Sequence, residues 1–219
     1  MNKNFVKLIL FLVVCFGQLK AKAQDSILYS IEFKFNEGLF FDFEQVKLNR
    51  PIPFANVIFE TSYKEKGFVN DLLKSEEITY VQNGTSQKIK KSQLWGYSNN
   101  GILYIQINSS FYRIPKLGKI SFFVSVEEVE YYAGNSAWDS YATPYNNTYT
   151  TTEMRQFLMS YDTGYIYNYS IENVAKLISE DADLLNEFVA LKKRKQKMLA
   201  FSFINRYNDK HPIYFPINN

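Results

Sequence analysis

Apolar and polar residues alternate along two stretches of the chain, with a period of two that is typical of half-buried β-strands. In the first stretch, Ile27 to Phe35, apolar side chains occupy every second position and polar residues such as Ser30 lie between them. The second stretch starts at Ile120 and is predicted to extend to Tyr131, with Ser121 and Ser125 on its polar face. Each stretch therefore predicts a strand with one buried face.

Three short sequences predict tight turns between strands: Asn83-Gly84, Asn99-Asn100-Gly101 and Asp162-Thr163-Gly164. Asn and Gly tolerate the positive φ angles that two-residue hairpin turns require. The apolar runs beside these turns predict strands at residues 78–81, 92–97, 102–107, 154–161 and 165–169, and shorter ones at 54–59 and 111–114.

Helical signals appear early at one position and then dominate the C-terminal part. Asp42 is placed to cap a short helical turn that stops before Pro51, and Ser170 is placed to cap a helix over Ile171 to Ile178. Asp181 marks the start of a second helix that is predicted to end near Asn208. The apolar stripe of that second helix consists of Leu184, Phe188, Leu191 and Met198.

These patterns predict an α+β fold, in which an antiparallel β domain (a meander or a partly open barrel) carries a C-terminal helical segment packed on it. Residues 24–161 form the β domain. Residues 162–219 add a return strand, two helices and a tail to the same domain.

Residues 1–23 have the order of a secretory signal peptide: a basic start, an apolar run from Leu8 to Gly17, and the small-x-small sequence Ala21-Lys22-Ala23 before Gln24. The apolar run is too short to span a bilayer. Removal of this segment leaves 21 basic and 22 acidic side chains, since it holds four of the 25 basic residues and no acid. We therefore expect an exported protein in the periplasm, on the outer-membrane surface or outside the cell, with no nucleic-acid partner and no transmembrane span after cleavage.

The single cysteine and the single histidine exclude several chemistries. Cys15 lies inside the predicted signal peptide, so the mature chain has no thiol for a disulfide, a metal or a nucleophile. His211 alone cannot support an ordinary zinc site, which uses mostly Cys and His ligands. The sequence has no phosphate-binding loop and no dinucleotide-binding fingerprint. We therefore expect no cofactor, and folding that does not depend on redox state or metal.

Residues 133–153 show neither alternation nor a helical period, and they are rich in Asn, Ser, Thr and Tyr. A loop of this length is predicted to be mobile and functional. Exposed aromatic side chains stack on sugar rings and anchor protein partners. The candidate contact residues are Trp138, Tyr141, Tyr145 and Tyr149. The alternative is a loop that folds its aromatic side chains onto its own sheet.

A pair of glutamates and a run of basic residues each suggest another function. Glu128 and Glu130 share a face of a predicted strand, and a glycosidase needs only two carboxyl groups. The basic run from Lys192 to Lys197 would suit an anionic surface, or it is a solvated face near the C-terminal half of a helix.

Several blocks of sequence resemble an uncharacterised family of small exported proteins of Bacteroidota-type bacteria. They are the segment Gly38 to Phe43, Leu94-Trp95-Gly96-Tyr97, Phe111-Tyr112-Arg113, Asp162-Thr163-Gly164, Glu187-Phe188 to Lys195, and Arg206 to Pro216. The resemblance implies an envelope or secreted location and no activity. The expected function is a non-catalytic binding or structural role with a protein or glycan partner, and the alternative is a carboxylate-based glycan hydrolase.

Overall fold

The computed structural model describes residues 25–132 and 148–217 and shows an α+β fold with antiparallel sheets and C-terminal helices. The strands are β1 Ser26–Leu28, β2 Gly38–Phe40, β3 Ile52–Pro53, β4 Val57–Ile58, β5 Glu77–Gln82, β6 Thr85–Lys90, β7 Gly96–Asn99, β8 Ile102–Ile107, β9 Ser110–Arg113, β10 Ile120–Tyr132, β11 Thr148–Ser160, β12 Ile166–Asn168 and β13 Tyr214–Pro216. The helices are α1 Phe43–Lys47, α2 Phe68–Leu72, α3 Ile171–Leu177, α4 Ala182–Val189 and α5 Lys193–Lys210.

The described strands form four antiparallel sheets. Their orders are β3-β2-β7-β8-β9, β4-β5-β6, β10-β11-β12 and the pair β1-β13. The last pair joins the two ends of the described chain, since Ser26 lies opposite Pro216 and the Ile217 N–H donates to the Asp25 carbonyl at 2.8 Å.

Local turn and capping chemistry is confirmed at the positions where the sequence predicted it. Asn83 and Gly84 both have positive φ between β5 and β6, and Asn100 and Gly101 do so between β7 and β8. The Asp42 side chain accepts a hydrogen bond from the Gln45 N–H and caps α1. These residues act through their own backbone neighbours, so their effect on the structure is local.

The predicted helix over Ile171 to Ile178 and the third predicted hairpin are confirmed. Ser170 caps α3 by accepting a hydrogen bond from the Asn173 N–H at 3.1 Å. Strand β12 pairs with β11, with Phe157 opposite Asn168.

The predicted strand over Ile27 to Phe35 is wrong beyond Leu28. The chain turns at residue 31, where the Phe33 N–H donates to the Ser30 carbonyl, and the Ile31 side chain is 74% exposed. The rings of Tyr29, Phe33 and Phe35 converge instead on Phe215, at centroid distances of 5.9, 4.5 and 5.3 Å. An alternating aromatic sequence fits this cluster as well as it fits a strand.

The single long helix predicted from Asp181 to near Asn208 is also wrong, because the chain breaks between α4 and α5. Gln196, near the start of α5, is buried, and its side-chain amide donates to the Phe188 carbonyl at 3.0 Å. The same carbonyl also accepts from the Leu191 N–H at 3.2 Å, so both bonds lie at the end of α4. The break also changes which side of the helix faces inward, so Met198 is 73% exposed instead of lying on the apolar stripe.

The base of the β10–β11 hairpin is buried on both faces. Phe123 and Phe157 lie in the aromatic core around Phe215, while Ile120 and Leu158 pack on the C-terminal helices. The predicted polar face of β10 is therefore wrong at its start, since Ser121 and Ser125 are buried there. Because this sheet is covered on both sides, the polar positions of the strand do not face solvent.

Two buried tyrosines predict a loss of stability at alkaline pH. Burial raises the pKa of Tyr97 to about 12, with Tyr104 adding to the shift, and burial with nearby acids raises that of Tyr161 to about 12. In the unfolded chain a tyrosine ionises near pH 10. Because the folded-state pKa is raised, the stabilisation that these tyrosines add to the free energy of unfolding is complete below pH 10. It is lost as pH rises towards 12. Melting temperatures should fall over that interval and fall less for Tyr97→Phe; an unchanged wild-type value would contradict the prediction.

Candidate contact surface

The distal half of the β10–β11 hairpin extends beyond the core. Outward from Val126 and Met154, which lie opposite each other, the side chains on both faces become largely exposed. Residues 126–132 and 148–154 correspond to a two-stranded ribbon roughly 20 Å long. We call these residues the ribbon. A two-stranded ribbon with no covered face is at best marginally stable by itself in water, so it depends on the buried base.

One face of the ribbon carries a stacked tyrosine pair. Tyr131 and Tyr149 lie opposite each other, with ring centroids 5.7 Å apart and an interplanar angle of 17°, and both remain exposed. The Tyr131 hydroxyl donates to the Glu153 carboxylate, and that hydrogen bond is the largest cause of the raised pKa of Tyr131. The pair is thus held in one orientation and still presents apolar ring area to solvent.

Charged residues occupy the same face nearer the core. Arg155 contacts the carboxylates of Glu153 at 3.2 Å and Glu127 at 3.7 Å. Asn108, in the turn after β8, donates to Glu127 at 3.4 Å and so links the ribbon to the neighbouring hairpin. These contacts fix the root of the ribbon beside the five-stranded sheet.

The opposite face of the ribbon is apolar at its root and acidic further out. Val126 and Met154 lie directly across from each other and are 54% and 69% exposed. Glu128 and Glu130 follow on the same face, opposite Thr152 and Thr150. Adjacent apolar and acidic groups of this kind suit a partner that has its own apolar and basic side chains.

Both long edges of the ribbon lack a neighbouring strand among the described residues. Strand β12 pairs with β11 only at Phe157 to Met159, which is within the buried base. Strand β10 is the outer strand of its sheet. Unpaired backbone N–H and C=O groups along an exposed edge are what an added strand from another chain recognises.

The structure places one of the four predicted contact residues. Tyr149 lies in β11 and stacks on Tyr131, while Trp138, Tyr141 and Tyr145 lie outside the described residues. The predicted loop is wrong at its C-terminal end, because Thr148 to Glu153 pair with β10. A Thr-rich run has β propensity but no alternation, and only the partner strand reveals its register.

Sequence reasoning missed Met154 and Arg155 as parts of this surface. Both were assigned to an ordinary strand, and nothing in a single sequence shows that this strand continues past the core.

The carboxyl groups of the ribbon lie opposite threonines on one face and beside Arg155 on the other. Glu128 and Glu130, the predicted candidates, face threonines across the ribbon. Glu127 and Glu153 do lie opposite each other, but Arg155 is bound to both. The hydrogen bond from Tyr131, followed by that from Arg155, lowers the pKa of Glu153. A glycosidase acid needs a raised pKa.

A polar cleft of about 620 Å³ lies between the segment from Tyr63 to Asn70 and the β7–β8 turn. Two of its acids already bind backbone groups: Glu37 accepts from the Asn100 N–H at 3.0 Å and Glu65 from the Ser62 N–H at 3.4 Å. The cleft has room for a small polar ligand, and Lys64 and Lys66 also line it.

Residues 25–132 and 148–217 show neither a metal-ligand cluster nor a membrane-spanning helix. Within these ranges no three His, Cys, Asp or Glu side chains cluster as metal ligands would, and no helix is long and apolar enough to cross a membrane. No protein-family model, curated protein or solved structure matches the chain.

Proposed function

We propose that this is an exported, non-catalytic binding protein of the cell envelope and that the ribbon is its contact surface. The observation that carries the proposal is the ribbon itself, whose exposed aromatic pair, exposed apolar pair and open edges lie outside the core. Side chains that do not support the fold are available to a partner. The open strand edges favour a protein partner over a glycan, because only a polypeptide can continue the backbone ladder.

The test is capture of a partner from envelope fractions with the double variant Tyr131→Thr/Tyr149→Thr. Threonine keeps the β propensity of the strands while removing both rings. Aromatic residues at the centre of an interface each contribute on the order of 1–2 kcal/mol, so the double variant should bind the captured partner at least about tenfold more weakly. The matched control is Tyr165→Thr, which removes a 68% exposed tyrosine outside the ribbon.

A folded double variant is required for this comparison, and its urea unfolding midpoint should stay close to that of the wild type. Recovery of the same proteins by the wild type and the double variant would contradict the proposed surface. A partner that is lost equally in Tyr165→Thr would show that the effect is not specific to the ribbon.

We also propose cleavage of the chain after Ala23, with release of the mature protein to the periplasm, the outer-membrane surface or the medium. The support is the order of basic, apolar and small residues before Gln24. Mass spectrometry of the N-terminal peptide should find Gln24 as the first residue. An intact Met1 on protein recovered from the cytoplasm would contradict this prediction.

A further inference from the structure

The first turns of α5 carry a concentrated positive charge. Lys192, Lys193, Arg194, Lys195 and Lys197 are all exposed, and within the described part of the chain none of them forms a salt bridge. Elsewhere the described lysines and arginines include several that do pair, among them Arg206 with Glu187 at 2.5 Å and Lys210 with Asp181 at 2.7 Å. The charges at the start of α5 therefore remain available.

The position of these cations opposes the stability of the helix. The sequence predicted them near the C-terminal half of a helix, where the helix dipole favours positive charge, but the structure places them at its N-terminal end. There the dipole disfavours cations, and Lys193 and Lys197, four residues apart, repel each other. No acidic residue occupies the first turn of α5. Helix stability thus gives no reason for the arrangement.

One carboxylate from the neighbouring helix α3 faces this region. A hydrogen bond from its own backbone N–H, and then one from the Ser170 hydroxyl, lowers the pKa of the Glu172 carboxyl. The positive charges of Lys193 and Lys197 lower this pKa further. Glu172 offsets part of the positive charge from a distance without forming an ion pair with either lysine.

Exposed apolar side chains lie on the same side of α5 as Arg194, further along the helix. Arg194, Met198 and Phe201 are spaced by four and then three residues, which places them along one face of a helix. Met198 is 73% exposed and Phe201 50% exposed. The rings of Phe201 and Phe122 meet edge to face, with centroids 5.6 Å apart, and half of the Phe201 surface stays exposed.

We propose that this face, consisting of Lys193, Arg194, Lys197, Met198 and Phe201, binds a membrane surface that contains anionic lipids. The cations would meet lipid phosphates while Met198 and Phe201 enter the boundary between headgroups and acyl chains. A soluble polyanion would use the positive charges but gives no role to the adjacent apolar pair. The face shares no residue with the ribbon, so the proposal does not depend on the proposed partner.

The net charge of the chain makes this attraction local. Without residues 1–23 the protein has 21 basic and 22 acidic side chains, so it is not drawn to anionic surfaces as a whole. Binding would therefore orient the molecule with the start of α5 towards the lipid, and it would weaken as salt screens the charges.

The test is co-sedimentation of the chain from Gln24 onward with phosphatidylcholine vesicles, with and without phosphatidylglycerol. The signal segment is omitted because its own apolar run would bind lipid. We expect binding only to the vesicles with phosphatidylglycerol, and weaker binding at higher salt. Each basic residue near such a surface contributes about fivefold, so Lys193→Gln/Arg194→Gln/Lys197→Gln should bind on the order of 100-fold more weakly. The control Lys34→Gln/Lys64→Gln/Lys66→Gln makes the same charge change on exposed lysines elsewhere and should bind like the wild type.

Met198→Gln separates a lipid surface from a soluble polyanion. Its side chain is mostly exposed, so the variant should fold normally and yet bind the anionic vesicles several-fold more weakly, with unchanged binding to dextran sulfate. Equal binding to neutral vesicles, no binding to anionic ones, or equal weakening by the two triple variants would overturn the proposal. Vesicle binding that is unaffected in Met198→Gln would also overturn it and would indicate a polyanion site instead.

Discussion

Phe215→Ala is expected to lower the free energy of unfolding by about 3–5 kcal/mol, which is the usual cost of deleting a fully buried phenylalanine side chain. Phe215 has no exposed surface, and its ring contacts Phe33 at 4.5 Å, Phe35 at 5.3 Å and Tyr161 at 6.1 Å between centroids. Removing it leaves a cavity bordered by segments from both ends of the chain. Urea unfolding followed by fluorescence or circular dichroism measures the loss.

Tyr214→Ala is the matched control for this prediction. Tyr214 precedes Phe215 in β13 but is 53% exposed, so its removal should cost less than about 1 kcal/mol. Similar losses for the two variants would show that the C-terminal strand does not support the aromatic core.

Asn208→Ala is expected to destabilise the protein by about 2–4 kcal/mol, because it leaves two backbone groups of Ile120 without partners. The Asn208 side-chain oxygen accepts from the Ile120 N–H at 2.8 Å, and its amide nitrogen donates to the Ile120 carbonyl at 2.8 Å. A carboxamide offers the same donor and acceptor as a peptide group, so this side chain takes the place of a neighbouring strand at the start of β10. It thereby joins α5 to the base of the hairpin.

Asn205→Ala provides the comparison, since Asn205 lies one turn earlier on α5 and makes no side-chain hydrogen bond to a described residue. Its substitution should change the unfolding free energy by less than about 0.5 kcal/mol. Amide hydrogen exchange measures the local effect, because the Ile120 N–H should exchange faster in Asn208→Ala than in the wild type. Full protection of that amide in the variant would contradict the assigned role.

The parts of the fold that the sequence predicted correctly depend on local chemistry. Asn100 and Gly101 have the positive φ angles that their turn requires, and Ser170 caps the helix that follows it. Each of these residues determines structure within three or four positions of itself. Two predictions were wrong: the strand beyond Leu28 and the continuous helix through residues 190–192. The structure of both segments depends on residues that are distant in the sequence.

The candidate site was predictable only in part, for the same reason. Its aromatic character was visible in the run that contains Tyr149, because composition alone indicates exposed tyrosines. The shape of the site was not visible in the sequence. It depends on strand register across the hairpin, which pairs Tyr149 with Tyr131 and Met154 with Val126. The charge on α5 was visible in the sequence, whereas its location at the start of a helix required knowledge of the break at residues 190–192.

The pairing of β1 with β13 imposes an order on events during synthesis. The first described strand has as its partner the last one, so Ser26 to Leu28 and the aromatic rings that follow must wait until Phe215 has been made. The ribosome delivers the chain from the N-terminus, and a contact across so many residues forms slowly. A nascent chain therefore cannot complete its core until nearly all of the described residues have been synthesised.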